Sequence, residues 1–480
     1  MHEEIKFDYI SDMLYAILGY LIVLVGLGLS QARRLKTGDD FLVAGRTLPA
    51  HVLVFTLLAT WIGSGSLFGG AGLGYRAGFP ALWQSAGAWV GIALVFFLAH
   101  RVRRIAKYTM PDILELRYGT TARVLGTIVV VIAYTTIAAY QFRGGGRLLN
   151  LVSGIDATQG ALITMAFCVV YTAVAGMLSV AYLDVGNGVA MLLGVGFAAA
   201  YIVMQQGGLA GALDGLRPDQ VALFGTLDPW RDVGALFLPT MLLLMGEANM
   251  YQKFFSAKDE RAARLSVIGW IIGTIVVETL IVSVGVFGSA AIPGLSVADS
   301  EAIVIRAAAT LMPFTLGALL LCGAAAIIVS TANSFLLTPA TALVSDVYKK
   351  AINRHATDRQ VLFYTRLTVV ALGLLGFFAL RFFSTILEMA LWAYTMYGSA
   401  ITPALLAVFL WPRVTRAGGV ASILAGMFTT LGWEIYARST GGYPYDLATV
   451  YPALGLSLIA LVAVSLATPR PTPEELAAVS

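Results

Sequence analysis

The sequence is poor in charge, since only 12% of its 480 residues are Asp, Glu, Lys or Arg, about half the usual share of a soluble domain. Its two cysteines, Cys168 and Cys322, and four scattered histidines cannot form a disulfide framework or a metal cluster. It contains no HExxH, GxxxxGK[ST] or GxSxG motif. These absences argue against an enzyme, and the low charge argues against a nucleic-acid partner.

Apolar residues make up 58% of the chain, and the mean hydropathy is +0.82. A soluble fold of this size would expose much of that surface, so lipid must be the solvent. About thirteen runs approach the roughly 20 apolar residues that a membrane-spanning helix needs. The runs are too long and too uniformly apolar for barrel strands. The sequence predicts an all-α polytopic membrane protein, with one membrane domain over residues 1–480.

Lysines and arginines alternate between the two sides of this predicted bundle. Of the 31 basic residues, 22 fall on one side and 7 on the other, counting Lys253 among the loop residues of the first group. Loops rich in Lys and Arg remain in the cytoplasm. The sequence therefore predicts an outside N-terminus, a cytoplasmic C-terminus and a multi-pass position in the plasma (inner) membrane.

Two predicted helices carry residues that interrupt a membrane helix. Glycine and serine alternate over 63–66 in the second helix, and Glu247 and Asn249 lie in the seventh. Irregular backbone at membrane depth is tolerated where it is buried in protein or lines a cavity. The five-helix spacing predicts inverted repeats of helices 2–6 and 7–11, residues 49–205 and 232–411, with flanking helices. The alternative for the glycines is close helix packing.

The ninth helix carries Ser330, Thr331, Asn333 and Ser334 within an apolar stretch. A hard monovalent cation prefers several oxygen ligands, which such hydroxyls and the free carbonyls of a broken helix supply. The alternative is that each hydroxyl bonds to its own helix.

Three of the ionisable residues in the predicted spans, where charge is costly, stand out: Asp184, Arg143 and Glu247. Each has a functional and a structural interpretation. Asp184 either takes part in ion binding or caps its helix. Arg143 either holds a carboxylate or extends to the outer surface. Glu247 either contacts the solute or pairs with an arginine.

Several segments together resemble the sodium:solute symporter family over nearly the whole chain. The resemblance rests on residues 41–49 (FLVAGRTLP), 59–72, 180–184 (VAYLD), 251–258 (YQKFFSAK), 326–331, 346–349, 411–413 (WPR) and Gly418-Gly419. It implies the leucine-transporter-like fold of two inverted five-helix repeats, with extra helices at both ends.

The resemblance also implies where the coupled ion, Na⁺, binds. The family's shared sodium site corresponds to the carbonyls of Ala59, Ile62 and Ile327 with the hydroxyls of Ser330 and Thr331. A second sodium of some members, or an exit path, corresponds to Asp184, Ser330, Asn333 and Ser334, although Asn333 departs from the hydroxyl found there.

The predicted function is sodium-coupled import of a small organic solute by alternating access, with a carboxylate favoured because of Arg143. If Arg143 paired with Glu247, a neutral or zwitterionic solute would be favoured instead. The candidate pocket residues are Trp61, Gly63, Ser66, Gln84, Gln141, Arg143, Glu247, Asn249 and Tyr251.

Other functions are a proton-coupled symporter, a sensor that binds a solute without moving it, and a channel. A channel needs no break that seals alternately, and a sensor usually carries a signalling domain. The expected partners are the solute, sodium and the lipid bilayer, with no obligate protein partner.

Overall fold

The structure is a computed structural model that describes residues 2–32, 44–105 and 109–472. Residues 41–43 of the FLVAGRTLP segment lie outside the described residues. The first half of the described chain is helical. Its helices are α1 His2–Ala32, α2 Ala50–Trp61, α3 Gly65–Ala77, α4 Phe79–Val95, α5 Ala99–Ile105, α6 Met110–Tyr118, α7 Thr120–Ser153 and α8 Ala157–Gln205.

The second half is helical as well, with short helices in its connections. Its main helices are α9 Asp232–Gly246, α10 Ala248–Ser256, α11 Glu260–Ala291, α12 Ile303–Thr310, α13 Phe314–Ala342, α14 Asp358–Ala379, α15 Ile386–Ala400, α16 Thr402–Leu410, α17 Arg416–Thr440 and α18 Val450–Ala467. The described residues contain no strand beyond one bridge between Leu48 and Ala257.

The all-helical prediction is confirmed, but the expected count of thirteen spans is not. By length and composition, ten described helices can cross a membrane, or up to twelve if each bent pair counts as one span. The apolar part of α1, Asp12–Gly28, is shorter than a full span. Helix α8 contains two spans, Ala157–Val174 and Val180–Gln205, which the sequence had separated into two helices.

The expected interruption of the second span is present. Helix α2 ends at Trp61, Ile62 adopts an extended conformation (φ −71°, ψ 100°), and α3 continues at an angle of 55°. The first turns of α3, Gly65–Gly70, are wound as a π-helix, a form that often marks functional sites. Gly65, Gly69 and Gly70 favour this change of winding because glycine has no side chain to restrict its backbone.

A second interruption separates α9 from α10. Glu247 is extended there (φ −61°, ψ 115°), and its side chain accepts hydrogen bonds from the first amides of α10. A further change of direction occurs between α4 and α5, which meet at 59°. The breaks at 62–64 and at Glu247 therefore lie in the helices that the sequence identified.

Helix α13 lies at the centre of the bundle and packs on α7, α8 and α2. Its residues from Gly323 to Ala342 are all buried, which explains why it is apolar on every face. The polar residues of the 330–334 segment therefore face protein and not lipid.

Glycine allows α3 and α11 to approach closely. A Cβ atom on Gly285 would lie 2.1 Å from the carbonyl oxygen of Ala71, a backbone atom that cannot move aside alone. We expect Gly285→Ala to cost about 1–3 kcal/mol of stability through overpacking. Melting of the purified protein measures this, with Gly432→Ala as the control, because no heavy atom lies within 4 Å of the Cβ position there. Equal melting temperatures for the two variants would contradict the close approach.

Candidate functional site

The break between α2 and α3 lies against the hydroxyls of α13. Thr331 Oγ1 is 3.1 Å from the carbonyl oxygen of Ala59 and 3.1 Å from that of Ile62. Ser330 Oγ is 3.2 Å from the same Ala59 oxygen. Ile327 is buried one turn earlier in α13. Four of the five predicted sodium ligands therefore meet at one buried point, and their oxygens are the hard, neutral donors that suit a monovalent cation.

Asp184 lies in the middle of α8 and is fully buried, so it does not cap a helix. Its carboxylate accepts hydrogen bonds from Ser330 and from Thr56 Oγ1, the latter at 2.5 Å. Asp184 therefore shares Ser330 with the sodium cluster. A charged acceptor of this kind is stabilised by hydroxyl donors.

The other two candidates for a second ion have partners of their own. Asn333 Oδ1 accepts a hydrogen bond from Thr172 Oγ1 at 2.7 Å. Ser334 Oγ lies 2.9 Å from Thr60 Oγ1. Both side chains are buried beside the Asp184 cluster, but each is already engaged with a neighbouring helix.

Lys253 belongs to this cluster, and its assignment to a loop was wrong. It lies in α10 and is completely buried, and its ammonium donates hydrogen bonds to Thr60 Oγ1 and, at 2.7 Å, to the carbonyl oxygen of Thr56. The same Thr56 donates to Asp184, so one residue links the buried cation and the buried anion. The sequence contained a signal, because Lys253 directly precedes two phenylalanines.

A small cavity lies on the other side of the break. Its lining residues are Trp61, Ser66, Gly70, Gln84, Ser85, Thr240, Glu278, Ile281, Val282 and Tyr394. Its volume of about 10 Å³ holds about one water molecule, so a larger solute requires the helices to move. Three predicted pocket residues, Trp61, Ser66 and Gln84, line it.

Glu278 is the acidic residue of this cavity, and sequence reasoning missed it. Its carboxylate accepts hydrogen bonds from the indoles of Trp61 and Trp89, each at 2.9 Å, and from Ser66 Oγ at 3.4 Å. The side chain is 3% exposed. A signal existed, because an isolated acid within a long apolar helix is costly and commonly functional.

Gly63 and Gln141 connect the cavity side of the break to the sodium cluster. A Cβ on Gly63 would lie 2.8 Å from Gln141 Nε2 and 2.9 Å from Thr331 Cγ2, so only glycine fits without displacement. The backbone amide of Ser64 donates to Gln141 Oε1 at 2.8 Å. Gln141 Nε2 and Ser64 Oγ are buried without a hydrogen-bond partner among the described residues.

Arg143 does not line the cavity. Its guanidinium donates to the carbonyl oxygens of Leu380, at 2.5 Å, and Phe383, at 2.8 Å, in the segment after α14. It does not pair with Glu247 either, because Glu247 accepts hydrogen bonds from the hydroxyl of Tyr134 at 2.9 Å and from the amides of α10. Glu247 therefore serves as the cap of a broken helix.

Asn249 and Tyr251 also lie away from the cavity. The hydroxyl of Thr338 donates to Asn249 Oδ1, and the Tyr251 hydroxyl donates to the carbonyl oxygen of Met245 at 3.1 Å. Both side chains connect α10 to neighbouring helix segments. The nine predicted pocket residues thus divide into three at the cavity, two at the break and four elsewhere.

Ionic networks hold the helix ends on both sides of these sites. Glu301 accepts hydrogen bonds from Arg147 at 2.7 Å and from the first amides of α15. At the opposite end, Lys350 contacts Asp112 and Glu115.

Glu115, which lies in α6 outside the spans, is the titratable acid of the second network. Partial burial opposes its charged form, but hydrogen bonds from Arg123 and Lys350 outweigh this and lower its pKa. Its charge therefore persists to lower pH, so this contact between helix ends is retained on mild acidification.

Structures of known proteins show the same fold. A Na⁺-coupled sialic acid symporter, solved in a substrate-bound outward-open state, matches with a TM-score of 0.82 and 16% identity over 95% of this chain and 98% of that one. Mhp1, a nucleobase-cation-symport-1 family transporter in a closed conformation with bromovinylhydantoin bound, matches with a TM-score of 0.62 and 12% identity over 92% and 97%.

Sequence relatives extend over nearly the full length. The osmoregulated proline transporter OpuE of Bacillus subtilis (strain 168) is 27% identical and covers 94% of both chains. The sodium/pantothenate symporter of Escherichia coli (strain K12) is 28% identical over 94% of this chain and 95% of its own. The model of the sodium:solute symporter family matches residues 41–426. The chain therefore belongs to the sodium:solute symporter family, and it is a sodium-coupled membrane carrier of a small organic solute rather than an enzyme.

Proposed function

We propose that sodium binds where the broken second span meets α13, at Ala59, Ile62, Ile327, Ser330 and Thr331, and that this binding prepares the cavity for a solute. The observation that carries the proposal is the bridge from Thr331 to the carbonyls on both sides of the break. An ion there would be coordinated by oxygens of both helices and would hold α2 and α13 together. Release of the ion would free the two helices, which is the requirement of alternating access.

One sodium supplies enough energy for accumulation. A positive charge crossing 100 mV gains ~2.3 kcal/mol. A tenfold sodium gradient adds ~1.4 kcal/mol, so a neutral solute could be concentrated roughly 400-fold at equilibrium. A second ion would square this ratio. Whether Asp184, Asn333 and Ser334 bind a second sodium therefore determines how far the solute can be concentrated.

The finer topology is part of the same proposal. The distribution of Lys and Arg supports an outside N-terminus and a cytoplasmic C-terminus in the plasma membrane. The breaks at Ile62 and Glu247 support two inverted repeats, 49–205 and 232–411, because each repeat would then contain one broken span.

The solute is proposed to carry a carboxylate, but one received by the break and not by Arg143. Gln141 Nε2 and Ser64 Oγ are donors without partners, and they lie at the N-terminal end of α3, where the helix dipole favours an anion. Proline and pantothenate, which relatives of this chain carry, both have a carboxylate. Arg143 is held by backbone carbonyls and has a structural role.

Sodium binding can be tested before the solute is identified. The purified protein should melt at a higher temperature in NaCl than in KCl of equal strength, because a ligand that binds only the folded state stabilises it. Proteoliposome uptake of labelled proline or pantothenate, driven by an inward sodium gradient, then tests coupling. Uptake that does not depend on sodium but is driven by a pH step would indicate a proton-coupled symporter. Sodium-dependent binding without uptake would indicate a sensor.

A further inference from the structure

Glu278 is a buried acid without a cationic partner. Among the residues that the structure describes, no lysine, arginine or histidine nitrogen lies within the 4.0 Å of an ion pair with its carboxylate. Its hydrogen-bond donors are the neutral groups of Trp61, Trp89 and Ser66. These donors fix the carboxylate in place, but they are neutral and leave its charge uncompensated in a buried site with room for about one water molecule. An uncompensated buried charge is costly, so a cation is expected to complete the site.

A second hydrogen-bond acceptor, on Gln84, lines the same cavity. Gln84 Oε1 is buried without a hydrogen-bond partner among the described residues, and it lines the cavity together with Glu278. An amide oxygen accepts hydrogen bonds and donates none. Gln84 and Glu278 therefore both present acceptor oxygens to the cavity. A positively charged group with several N–H donors can hydrogen-bond to both residues.

Aromatic rings close the cavity beside the carboxylate. Trp61 and Tyr394 line it with ring centroids 5.8 Å apart, and the Tyr394 hydroxyl lies 3.1 Å from that of Tyr140. The faces of such rings attract cations. Trp61 also donates its indole N–H to Glu278, so the edge of this ring stabilises the anion.

We propose that Glu278 binds the ammonium group of the transported solute, and that the solute is a small amino acid or an amino-acid-like zwitterion. The inference rests on the proposed function, because the carboxylate of the same solute is assigned to the donors at the break, Gln141 Nε2 and Ser64 Oγ. A simple carboxylate would leave Glu278 unpaired and would bring a second negative charge towards it.

The proposal determines how much charge each transport cycle moves. A zwitterion with one sodium carries a net charge of +1 inward, so the membrane potential drives the cycle. A carboxylate without an amine carries no net charge when it crosses with one sodium. The membrane potential would then contribute nothing to the driving force.

The test compares three matched sets of compounds by melting of the full-length protein in NaCl and in KCl. The first set is the twenty standard amino acids. The second is the 2-hydroxy acids that correspond to the nineteen with a primary amine, with tetrahydrofuran-2-carboxylate for proline, all of which lack the ammonium group. The third is the amino-acid amides, which lack the carboxylate. We expect at least one amino acid to stabilise the protein more in NaCl, and its hydroxy acid and amide to stabilise it far less. The stabilising amino acid should then give an inward positive current in proteoliposomes.

Glu278→Gln should weaken binding of that amino acid by at least about 30-fold, the lower range for truncating one partner of a buried charge pair. The melting shift produced by sodium alone should persist, which shows that the variant is folded and that the ion site is intact. Glu260→Gln is the matched control, because that residue forms an exposed ion pair with Arg104 far from the cavity.

Three results would overturn the assignment of Glu278. They are stabilisation by hydroxy acids equal to that by amino acids, wild-type amino-acid affinity in Glu278→Gln, and stabilisation by none of the amino acids. Each leaves the sodium shift of the wild-type protein unaffected. Absence of that sodium shift would instead refute the proposed ion site.

Discussion

Thr331→Val is expected to raise the half-saturating sodium concentration roughly 10- to 100-fold, the effect of removing one hydrogen-bonding group from a buried charge. Valine keeps the shape of threonine and removes only the oxygen that reaches both Ala59 and Ile62. The carbonyls on either side of the break then lose their common partner. Sodium-dependent melting measures the ion directly, and sodium-dependent uptake measures the consequence for coupling.

The control lies on the same helix. Thr341 is buried, and its hydroxyl donates to the carbonyl of Leu337 in its own helix at 2.8 Å, so Thr341→Val removes a hydroxyl without touching the break. We expect its sodium response to match the wild type. A Thr331→Val protein with wild-type sodium affinity, beside an equally unaffected Thr341→Val protein, would show that the ion binds elsewhere. Ser330→Ala is a less specific variant, because Ser330 also contacts Asp184.

The sequence predicted those site residues that break the rules of a membrane helix. The glycines and serines over 63–66 interrupt the apolar pattern of their helix. Four polar residues over 330–334 are rare in one span. Their meeting in space followed from the resemblance to a family, and the structure brings Ser330 and Thr331 against Ala59 and Ile62. Local composition was sufficient to find these residues because the signal lies within one segment.

The sequence did not predict residues whose partners lie on distant helices. Glu278 is the only acid of α11 beyond its first residue, Glu260, and its role depends on Trp61 of α2 and Trp89 of α4. Arg143 has the donors of a carboxylate-binding residue, but its actual partners are backbone carbonyls, which have no sequence signature. Side-chain type gives the chemistry that a residue can perform, and only the packing gives the partner that it meets.

Lys253→Met is expected to make the stability of the protein strongly dependent on sodium. The ammonium of Lys253 contacts Thr56 and Thr60, and Thr56 in turn contacts Asp184, so its removal leaves Asp184 as an uncompensated buried charge. Breaking a direct buried ion pair costs about 3–5 kcal/mol, and we expect a smaller loss here because Thr56 lies between the two charges. A second sodium at Asp184, Asn333 and Ser334 would restore the balance. The variant should therefore melt lower than the wild type in KCl and recover most of the difference in NaCl.

The wild-type protein should respond to sodium with a Hill coefficient of about 1, because the ammonium already balances Asp184 and repels a second ion from the same cluster. The response of Lys253→Met should be steeper. Asp184→Asn added to Lys253→Met removes both charges, so the double variant should melt higher than Lys253→Met alone in KCl and return to the single-ion response. A wild-type Hill coefficient near 2 that Lys253→Met leaves unchanged would contradict this scheme, because the second sodium would then bind Asp184 despite the lysine.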